Sequence, residues 1–352
     1  MTHNHPDSPY TPDQLTTYFN HISLSLSSPL PPPSLHLLSL LITHHLARVP
    51  FENTKLHYSS HPRTPVPPYT HNRVPPLDPE SLYVNFVQKG RGGYCVEQNA
   101  FFASVLRGLG FEVRQRGGRV NRRLTGDGAS GWSGWSHMVN LVGLPVSGDG
   151  DERSVGDEGE KEWWLVDVGF GAEGLLEPIR VDYDEESGAP HMVGGIGEME
   201  CRVRKFGVGV EENDQEQEGV DQKEELRVYE TRVKGRKEGR WLPAYSFTRY
   251  LDFQSSDYEI MNWYVATHPK SWFTQRLGCA LFLREGHKLV GTVTLDGEAF
   301  ERRVGGSKEN LRICKTEAER VEGLKKWFRM YFSDDEVEGI GEPAAIISEN
   351  VS

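Results

Sequence analysis

The stretch Arg91-Gly92-Gly93-Tyr94-Cys95-Val96-Glu97-Gln98-Asn99 places a cysteine directly after two glycines, where a helix is predicted to begin. A helix N-terminus presents unpaired backbone N–H groups and the positive end of the helix dipole, and both stabilise a thiolate. The thiolate is the nucleophilic form of cysteine. The preceding glycines let the backbone turn sharply and approach a bound ligand closely. The stretch therefore predicts that Cys95 is a nucleophile.

Two later strand-like segments supply a histidine and an aspartate in the order that an activated cysteine requires. His137 begins the segment 137–142, and Asp167 lies near the end of the segment 163–168. Because side chains alternate between the two faces of a strand, both are expected to point the same way from neighbouring strands. Taken singly, each has an ordinary explanation, since a lone cysteine is usually a small buried apolar residue. Together they predict a Cys–His–Asp acyl-transfer enzyme.

The composition is that of an ordinary globular protein and excludes several other classes. The chain has 352 residues, of which 37% are hydrophobic, so two or three domains with a substantial core are expected. The first seven residues are polar and lack the apolar region of a signal peptide. No apolar run approaches the roughly 20 residues that span a bilayer. We therefore expect a cytoplasmic protein without a membrane partner.

The cysteine spacing excludes the common metal and redox motifs. Cys95, Cys201, Cys279 and Cys314 are the only cysteines, and none of them forms a C-x-x-C pair. Such spacing does not match a zinc site, and four cysteines in so long a chain do not make a disulfide scaffold. The sequence predicts no metal site and no permanently bound cofactor.

Two acidic segments carry the whole formal net charge of −12. Residues 147–162 have a net charge of −5 and residues 211–225 a net charge of −7, so the rest of the chain is neutral overall. Both segments have almost no apolar side chains and cannot bury enough surface to fold by themselves. They are predicted to be solvated insertions in loops, and nothing in the charge pattern indicates a nucleic-acid partner.

The predicted elements separate early helices from later strands. Helices are predicted to begin after Thr11 and Ser34, and to cover 81–87 and 95–109. Strands are predicted over 111–120, 137–144, 162–168, 199–206 and 226–231, which favours a small barrel or sandwich. Near the end, strands are predicted over 271–284 and 288–295, a helix over 316–332, and a loose acidic tail from Ser333.

Five motifs in this order resemble those of the arylamine N-acetyltransferase family, over about residues 11–330. They are Val49-Pro50-Phe51-Glu52-Asn53, Arg91-Gly92-Gly93-Tyr94-Cys95, Ser136-His137-Met138-Val139, Val166-Asp167-Val168-Gly169-Phe170-Gly171, and Asn262-Trp263-Tyr264-Val265-Ala266-Thr267-His268-Pro269. The acidic insertions and a Pro-rich loop depart from the family pattern and look most like its filamentous-fungal members.

The resemblance implies an α+β fold in three parts, with a cysteine-protease-like arrangement of the triad. Residues 1–110 would form a helical bundle that carries Cys95. Residues 111–240 would form an antiparallel β-barrel that carries His137 and Asp167, interrupted by the two acidic insertions. Residues 241–352 would form an α/β lid with the loose tail.

The resemblance also implies roles for further residues. Phe51, Val120 and Phe170 would line the pocket for the acyl acceptor. Ser133 and Gly134 would lie beside the pantetheine arm of coenzyme A, although the segment 131–136 also reads as a plain flexible loop. Separately, Arg91 and Glu52 are expected to pair and brace the bundle; as a surface ion pair this would contribute under about 1 kcal/mol.

The reaction implied by the resemblance is ping-pong transfer of an acyl group from acyl-coenzyme A, through a thioester on Cys95, to an arylamine or hydrazine. Acetyl-coenzyme A is the first choice of donor and malonyl-coenzyme A the second. A malonyl carboxylate needs a cationic or N–H-rich partner, for which Arg122 and Arg123 are candidates by sequence proximity. The backbone N–H of Cys95 is expected to meet the tetrahedral oxyanion.

Two other functions remain open from the sequence alone. A Cys–His–Asp hydrolase or transglutaminase-like enzyme would share the three residues without needing coenzyme A. A non-catalytic binding protein on the same fold is the other alternative, and the intact set of three residues argues against it. The sequence leaves the oligomeric state open.

Overall fold

The computed structural model describes residues 8–58, 74–125, 130–146, 161–182, 190–206, 226–234 and 239–340. The predicted insertion 211–225 lies outside these residues, as does 147–162 except for its last two positions, which begin a strand. That these segments are solvated insertions therefore stays a prediction.

The N-terminal described residues form helices that pack into one bundle. They are α1 (Pro12–His21), α2 (Leu35–Leu46), α3 (Pro79–Tyr83), which continues into a π-helical turn (Val84–Gln88), and α4 (Cys95–Gly108). The Thr11 hydroxyl accepts the Gln14 N–H while the Gln14 side chain accepts the Thr11 N–H, which fixes the start of α1. Phe86 and Phe101 pack at 4.8 Å between ring centroids inside the shared core and hold α4 rigidly.

The middle of the chain forms a nearly closed antiparallel β-barrel. Its strands are β2 (Glu112–Val120), β3 (His137–Pro145), β4 (Lys161–Val166), β5 (Ile179–Arg180), β6 (Met192–Gly194), β7 (Met199–Lys205), β8 (Leu226–Val233) and β9 (Leu242–Thr248). Their order is β5-β4-β3-β2-β9-β8-β7-β6. Val139, Leu165 and Tyr229 are fully buried inside. Because β3 and β4 are neighbouring antiparallel strands, the start of β3 lies beside the end of β4.

A second sheet forms the lid and includes a short strand from the bundle segment. Its strands are β1 (Phe51–Glu52), β10 (Gly278–Glu285), β11 (Lys288–Asp296), β12 (Ala299–Val304) and β13 (Ser307–Ile313), in that order. The helices are α5 (Ser255–Thr267), α6 (Trp272–Gln275), α7 (Glu317–Phe328) and α8 (Asp334–Glu338). The Asn53 amide donates to the carbonyls of Phe273 and Arg276, both at 2.8 Å, and so ties the lid to the bundle.

The expected α+β class, with helical bundle, antiparallel barrel and lid, is confirmed, while the boundaries at residues 110 and 240 stay predictions. The strand expected over 271–284 is wrong at its start. Residues 272–275 form α6, because the Thr274 hydroxyl bonds back to the carbonyls of His268 and Ser271 and closes a helical turn. The helix α5 and the strands β12 and β13 were not predicted from the sequence.

The acidic tail is more ordered than predicted as far as residue 340. Ser333 caps α8 by accepting the Glu336 N–H at 3.3 Å, and Glu336 pairs with Arg91 of the bundle at 3.2 Å. Residues 341–352 lie outside the described part of the chain. Within the described part, none of the helices has the length and apolar character needed to cross a membrane.

Candidate active site

Cys95 is the first residue of α4, as the sequence predicted, and its side chain is almost completely buried, with 5% exposed. The chain enters the helix through an extended Tyr94, whose N–H is accepted by the Glu97 carboxylate at 3.2 Å. The first helical bond runs from the Gln98 N–H to the Tyr94 carbonyl. The backbone N–H of Cys95 therefore lies in the first turn of α4 and makes none of the intrahelical hydrogen bonds, which begin with Gln98.

Gly169 lets the loop after β4 lie directly against the start of α4. A Cβ built on Gly169 would lie 2.7 Å from the Cys95 Cα and 2.9 Å from its carbonyl oxygen. Side-chain carbons do not tolerate such distances, so only glycine fits without a shift of the backbone. This close approach brings the Asp167 loop to the cysteine.

His137 and Asp167 form a buried hydrogen-bonded pair. His137 begins β3, and Asp167 follows the last residue of β4. Their Nε2 and Oδ2 atoms lie 2.7 Å apart, with 1% and 0% of the respective side chains exposed. Burial by itself lowers the pKa of His137, but the Asp167 charge and hydrogen bond outweigh it and raise that pKa to about 10, with a smaller contribution from Cys95. The imidazolium is therefore stabilised in this site.

Cys95 lies next to the opposite side of the same ring. Its thiol is 3.6 Å from the carbonyl of Ser136, the residue before His137, and Cys95 contributes to the raised pKa of His137. Since Nε2 faces Asp167, Nδ1 is the nitrogen left for the sulfur. The structure thus brings together the three side chains that the sequence singled out.

Asn99 positions the carboxylate, and the sequence analysis did not single it out. Its amide donates to Asp167 Oδ1 at 2.8 Å and to the Met138 carbonyl at 2.7 Å. The Gly169 N–H is a further donor to Oδ1 at 2.9 Å. Burial favours the neutral acid, but the His137 charge and these bonds lower the pKa of Asp167 below its ordinary value. The available signal was spacing, because Asn99 follows Cys95 by four residues and shares its helix face.

Aromatic side chains surround the imidazole. The Phe170 ring lies 5.2 Å from the His137 ring and the Tyr245 ring 4.7 Å from it, measured between centroids. Tyr245 is paired with Val120 across β2 and β9. Phe51 bridges to Gly93 and packs near Phe273, at 6.1 Å between centroids. Phe51, Val120 and Phe170 therefore all lie around the Cys95–His137 pair, and the neighbouring Tyr245 and Phe273 were missed from sequence.

Ser133 and Gly134 lie on the segment that leads from β2 to β3. The Ser133 hydroxyl accepts the Val120 N–H at 2.9 Å and lies 2.7 Å from the Ser136 hydroxyl. Gly134 is exposed, and a Cβ built there would meet no atom within 4 Å. Ser133 thus fixes the loop from inside, whereas Gly134 presents an open backbone to solvent.

The expected pair between Arg91 and Glu52 does not form. Arg91 instead bonds to the Tyr331 carbonyl and to Glu336, and lies 3.8 Å from the centroid of the Phe332 ring. Glu52 is buried, and its oxygens accept the N–H groups of Thr54 at 2.5 Å and Gly92 at 3.1 Å. The backbone donors of this tight turn satisfy Glu52, so the arginine is left to hold the C-terminal segment.

The other three cysteines lie in different surroundings. Burial raises the pKa of the Cys201 thiol to about 11, a value that the Tyr229 hydroxyl moderates. Burial also raises the pKa of Cys279 and, to about 11, that of Cys314. Each is a buried thiol held in its neutral form. Among the described residues there is no group of three or more His, Cys, Asp or Glu side chains suited to a metal ion.

The sequence matches one known family over most of its length. A model of the N-acetyltransferase family matches residues 34–337, which include all three side chains. The chain belongs to the arylamine N-acetyltransferase family. It is accordingly an acyltransferase enzyme.

Curated relatives in this family carry two kinds of name. An N-malonyltransferase of Fusarium pseudograminearum (strain CS3096) is 32% identical over 320 residues, covering 88% of this chain and 82% of the relative. An arylamine N-acetyltransferase of Mycolicibacterium smegmatis is 30% identical over 283 residues, covering 80% of this chain and 81% of the relative.

Solved structures share the architecture. The arylamine N-acetyltransferase from Mycobacterium abscessus superposes with a TM-score of 0.67 at 22% identity, covering 93% of each chain. The Mycobacterium marinum enzyme, solved in complex with CoA, has a TM-score of 0.65 at 24% identity and covers 93% of this chain and 95% of its own. At these identities the likeness shows the fold of the family.

Proposed function

We propose that this chain transfers an acyl group from an acyl-coenzyme A thioester to the nitrogen of an arylamine or hydrazine, through a thioester on Cys95. The observation that carries the proposal is the buried line of Cys95, His137 and Asp167 at the start of α4, with the His137–Asp167 bond of 2.7 Å. Family membership supports a transferase over a hydrolase, because the relatives described above are named transferases.

The geometry supports a defined role for each group. The Cys95 thiolate attacks the thioester carbonyl and forms a new C–S bond, and the C–S bond to coenzyme A breaks as the departing sulfur takes the proton of the His137 imidazolium. The amine then attacks acyl-Cys95, neutral His137 accepts the amine proton, and Cys95 leaves as a thiolate. Asp167 keeps Nε2 protonated throughout and stabilises the imidazolium. The N–H of Cys95 is placed to donate to the tetrahedral oxyanion.

The acceptor pocket is proposed to lie between Phe51, Val120 and Phe170. A flat arylamine ring suits this aromatic surround, since offset and edge-to-face contacts favour aromatic pairs. Ser133 and Gly134 are proposed to lie along the pantetheine arm. Open space around Gly134 supports a backbone contact there, whereas the internal hydrogen bonds of Ser133 support an indirect role in shaping the loop. Acyl-coenzyme A is a substrate in this scheme.

Malonyl transfer is a second candidate, favoured by the Fusarium relative, which is named an N-malonyltransferase. Arg122 and Arg123 lie in a 3-10 turn (Arg122–Leu124) that follows Val120 and the capping residue Asn121. Arg123 Nε donates to the Pro243 carbonyl at 3.1 Å, and burial lowers the pKa of this guanidinium while Glu173 raises it. Both arginines are candidates for the malonyl carboxylate, and acetyl remains the first choice of acyl group. The cytoplasmic location expected from the sequence also stays a proposal.

The test is a transfer assay with acetyl- or malonyl-coenzyme A and an arylamine, in which the acylated amine and the free carboxylic acid are both measured. We expect acylated amine as the main product, and loss of it in Cys95→Ser. Free acid formed at the same rate with and without amine would indicate a hydrolase and overturn the proposal.

The same assay decides the acyl group through the ratio of kcat/KM for the two donors. An acetyl preference above about tenfold, which is roughly 1.4 kcal/mol, would remove the malonyl candidate. A malonyl preference should fall at least about tenfold in Arg122→Gln or Arg123→Gln if either arginine binds the carboxylate. A malonyl preference unchanged in both variants would reject these arginines as its cause.

A further inference from the structure

A second cleft lies between the bundle and the lid sheet, lined by residues other than those placed around Cys95. Its volume is about 460 Å³, within the range of small-molecule sites. Buried apolar side chains, among them Ile22, Phe282 and Val293, form its floor. We call it the basic cleft, after the five cationic side chains that line it: Arg48, Arg284, Arg302, Lys326 and Arg329.

None of the described residues that line the basic cleft is acidic, although the protein as a whole has a net charge of −12. Among the described residues, Arg48 and Arg329 form no ion pair, and only Arg302 has a carboxylate partner, Glu309 at 3.3 Å on the exposed side. Arg48 and Arg329 both line this cleft. Burial and then the Arg329 charge lower the pKa of Arg48. Like charges held together in a half-buried cleft repel, and an anion between them would remove that repulsion.

Neighbouring polar groups hold the cations in place without neutralising them. His44 Nδ1 donates to the Ile22 carbonyl at 3.1 Å, which leaves Nε2 to accept from Arg284 Nη1 at 3.2 Å. Burial, Arg284 and His287 lower the pKa of His44, so it is a neutral acceptor. The Lys326 ammonium lies 4.9 Å from the centroid of the Trp327 ring, which also lines the cleft. The guanidinium of Arg284 is thus preorganised by a neutral partner.

Two residues with unusual backbone conformations line the same cleft. Ser23 has φ of 55° and Arg329 has φ of 59°, and they are the only non-glycine residues with positive φ in the described part of the chain. Ordinary residues seldom adopt this region. At Arg329 it ends α7 and turns the arginine into the cleft wall.

We propose that the basic cleft binds a multiply charged organic phosphate that carries a flat apolar ring, such as a nucleotide. Guanidinium groups match phosphate oxygens in a two-point geometry, and four arginines line this cleft together with a lysine. The apolar floor offers a surface for the ring, Trp327 lies in the cleft wall beside Lys326, and the volume admits a nucleoside diphosphate. This inference is independent of the acyl-transfer chemistry at Cys95.

The test is titration of the full chain with ADP in a phosphate-free, low-salt buffer, followed by calorimetry and by Trp327 fluorescence, with Trp327→Phe to assign the signal. The double variant Arg48→Gln with Arg329→Asn removes two charges, and asparagine tolerates the positive φ at 329. We expect this double variant to weaken the binding of ADP at least about tenfold. The matched control is Arg303→Gln, on the other face of the same strand as Arg302, and should keep ADP affinity within about twofold.

Further ligands and variants separate the possible outcomes. Inorganic diphosphate and adenosine should each bind more weakly than ADP, which separates the charge from the ring. Lys326→Gln, at an exposed position, should weaken ADP even if the double variant fails to fold. Absence of ADP binding, or binding equally reduced by Arg303→Gln, would overturn the proposal. The proposal would also be overturned if ADP slows the alkylation of Cys95 while its affinity is unchanged in the cleft variants.

Discussion

The bundle meets the lid at two places whose ionisable side chains are satisfied in different ways. Beside Cys95, the buried carboxyl groups of Glu52 and Glu97 accept backbone N–H groups from Thr54, Gly92 and Tyr94. In the basic cleft, Arg48 and Arg329 line the wall with no carboxylate among the described lining residues. The carboxyl groups beside Cys95 are buried and hydrogen-bonded within the protein. The cations of the basic cleft lie in an open cleft and are incompletely neutralised.

The difference separates charges that hold the fold from charges that are available to a ligand. A buried carboxylate must be satisfied from within, because an unpaired one costs several kcal/mol. A half-exposed arginine does not face this requirement and can exchange water and ions for a ligand. We expect the groups beside Cys95 to be held by contacts within the protein, and the cations of the basic cleft to be available to a ligand. Four predictions test this difference.

The largest expected effect is at Asp167, on the closed side. In Asp167→Asn the amide would donate to His137 Nε2 and leave the proton on Nδ1, facing Cys95. That tautomer cannot accept a proton from the thiol, so kcat should fall by about a thousandfold or more. The unfolding temperature should change little. Steady-state turnover with an arylamine measures kcat, and thermal unfolding measures the unfolding temperature. Asp335→Asn is the control, because this residue is exposed on α8; turnover near normal in Asp167→Asn would refute the orienting role.

A second large effect is expected where the Asp167 loop touches α4. Gly169→Ala places a Cβ 2.7 Å from the Cys95 Cα, so the backbone must shift. We expect a loss of about 1–3 kcal/mol in the free energy of unfolding, and a fall in turnover of at least about tenfold. Gly194→Ala, with no atom within 4 Å of the added carbon, is the control. Equal behaviour of the two variants would mean that the close approach is unimportant.

A moderate effect is expected in the pH dependence of stability at Glu97. Burial and the charge of Glu52 raise the pKa of Glu97 to about 8. The native chain therefore binds more protons than the unfolded chain between about pH 4.5 and 8, and stability falls as pH rises through that window. Glu97→Gln stays neutral. It should match the wild type near pH 5 and be more stable near pH 9 by about 1–2 kcal/mol.

Denaturant unfolding at the two pH values measures this difference. Glu259→Gln, at an exposed position of α5, should follow the wild type at both. A Glu97→Gln variant that is less stable than the wild type at pH 9 would show that the carboxylate is the favoured form.

The smallest effect is expected at Arg48, on the open side. Without ligand, raising the salt concentration screens its repulsion with Arg329 and should stabilise the wild type. Arg48→Gln should reduce that salt-dependent gain by about 0.5 kcal/mol, while Arg303→Gln leaves it unchanged. Denaturant unfolding at low and high salt gives the gain for each chain. A gain that is the same in all three chains would mean that Arg48 is already neutralised.

The juxtaposition of Cys95, His137 and Asp167 was predictable because each side chain follows a local rule. Glycines and a polar helix start locate Cys95, and the alternation along β3 and β4 puts His137 and Asp167 on one face. The helices of the bundle were predictable from capping residues and apolar spacing, as at Thr11.

Contacts that join distant segments were not predictable in the same way. Glu52 was expected to pair with Arg91, but nearby backbone N–H groups satisfy it, and nothing local indicates that Arg91 reaches Glu336. Charged residues interrupt both β12 and β13, and β13 is mostly exposed, so neither strand has the apolar alternation that marks a half-buried strand. Their turn at Gly305 and Gly306, both with positive φ, was the one available signal. The basic cleft has no sequence signature, because its cations come from four separate segments.

The central claim is that Cys95 alone among the four cysteines carries the acyl group. Incubation with acetyl- or malonyl-coenzyme A in the absence of amine, followed by intact-mass and peptide mass spectrometry, measures it directly. We predict one added acyl mass, located on Cys95, absent in Cys95→Ser and removed when an arylamine is added. A label on Cys201, Cys279 or Cys314, or an acyl mass that persists in Cys95→Ser, would contradict it.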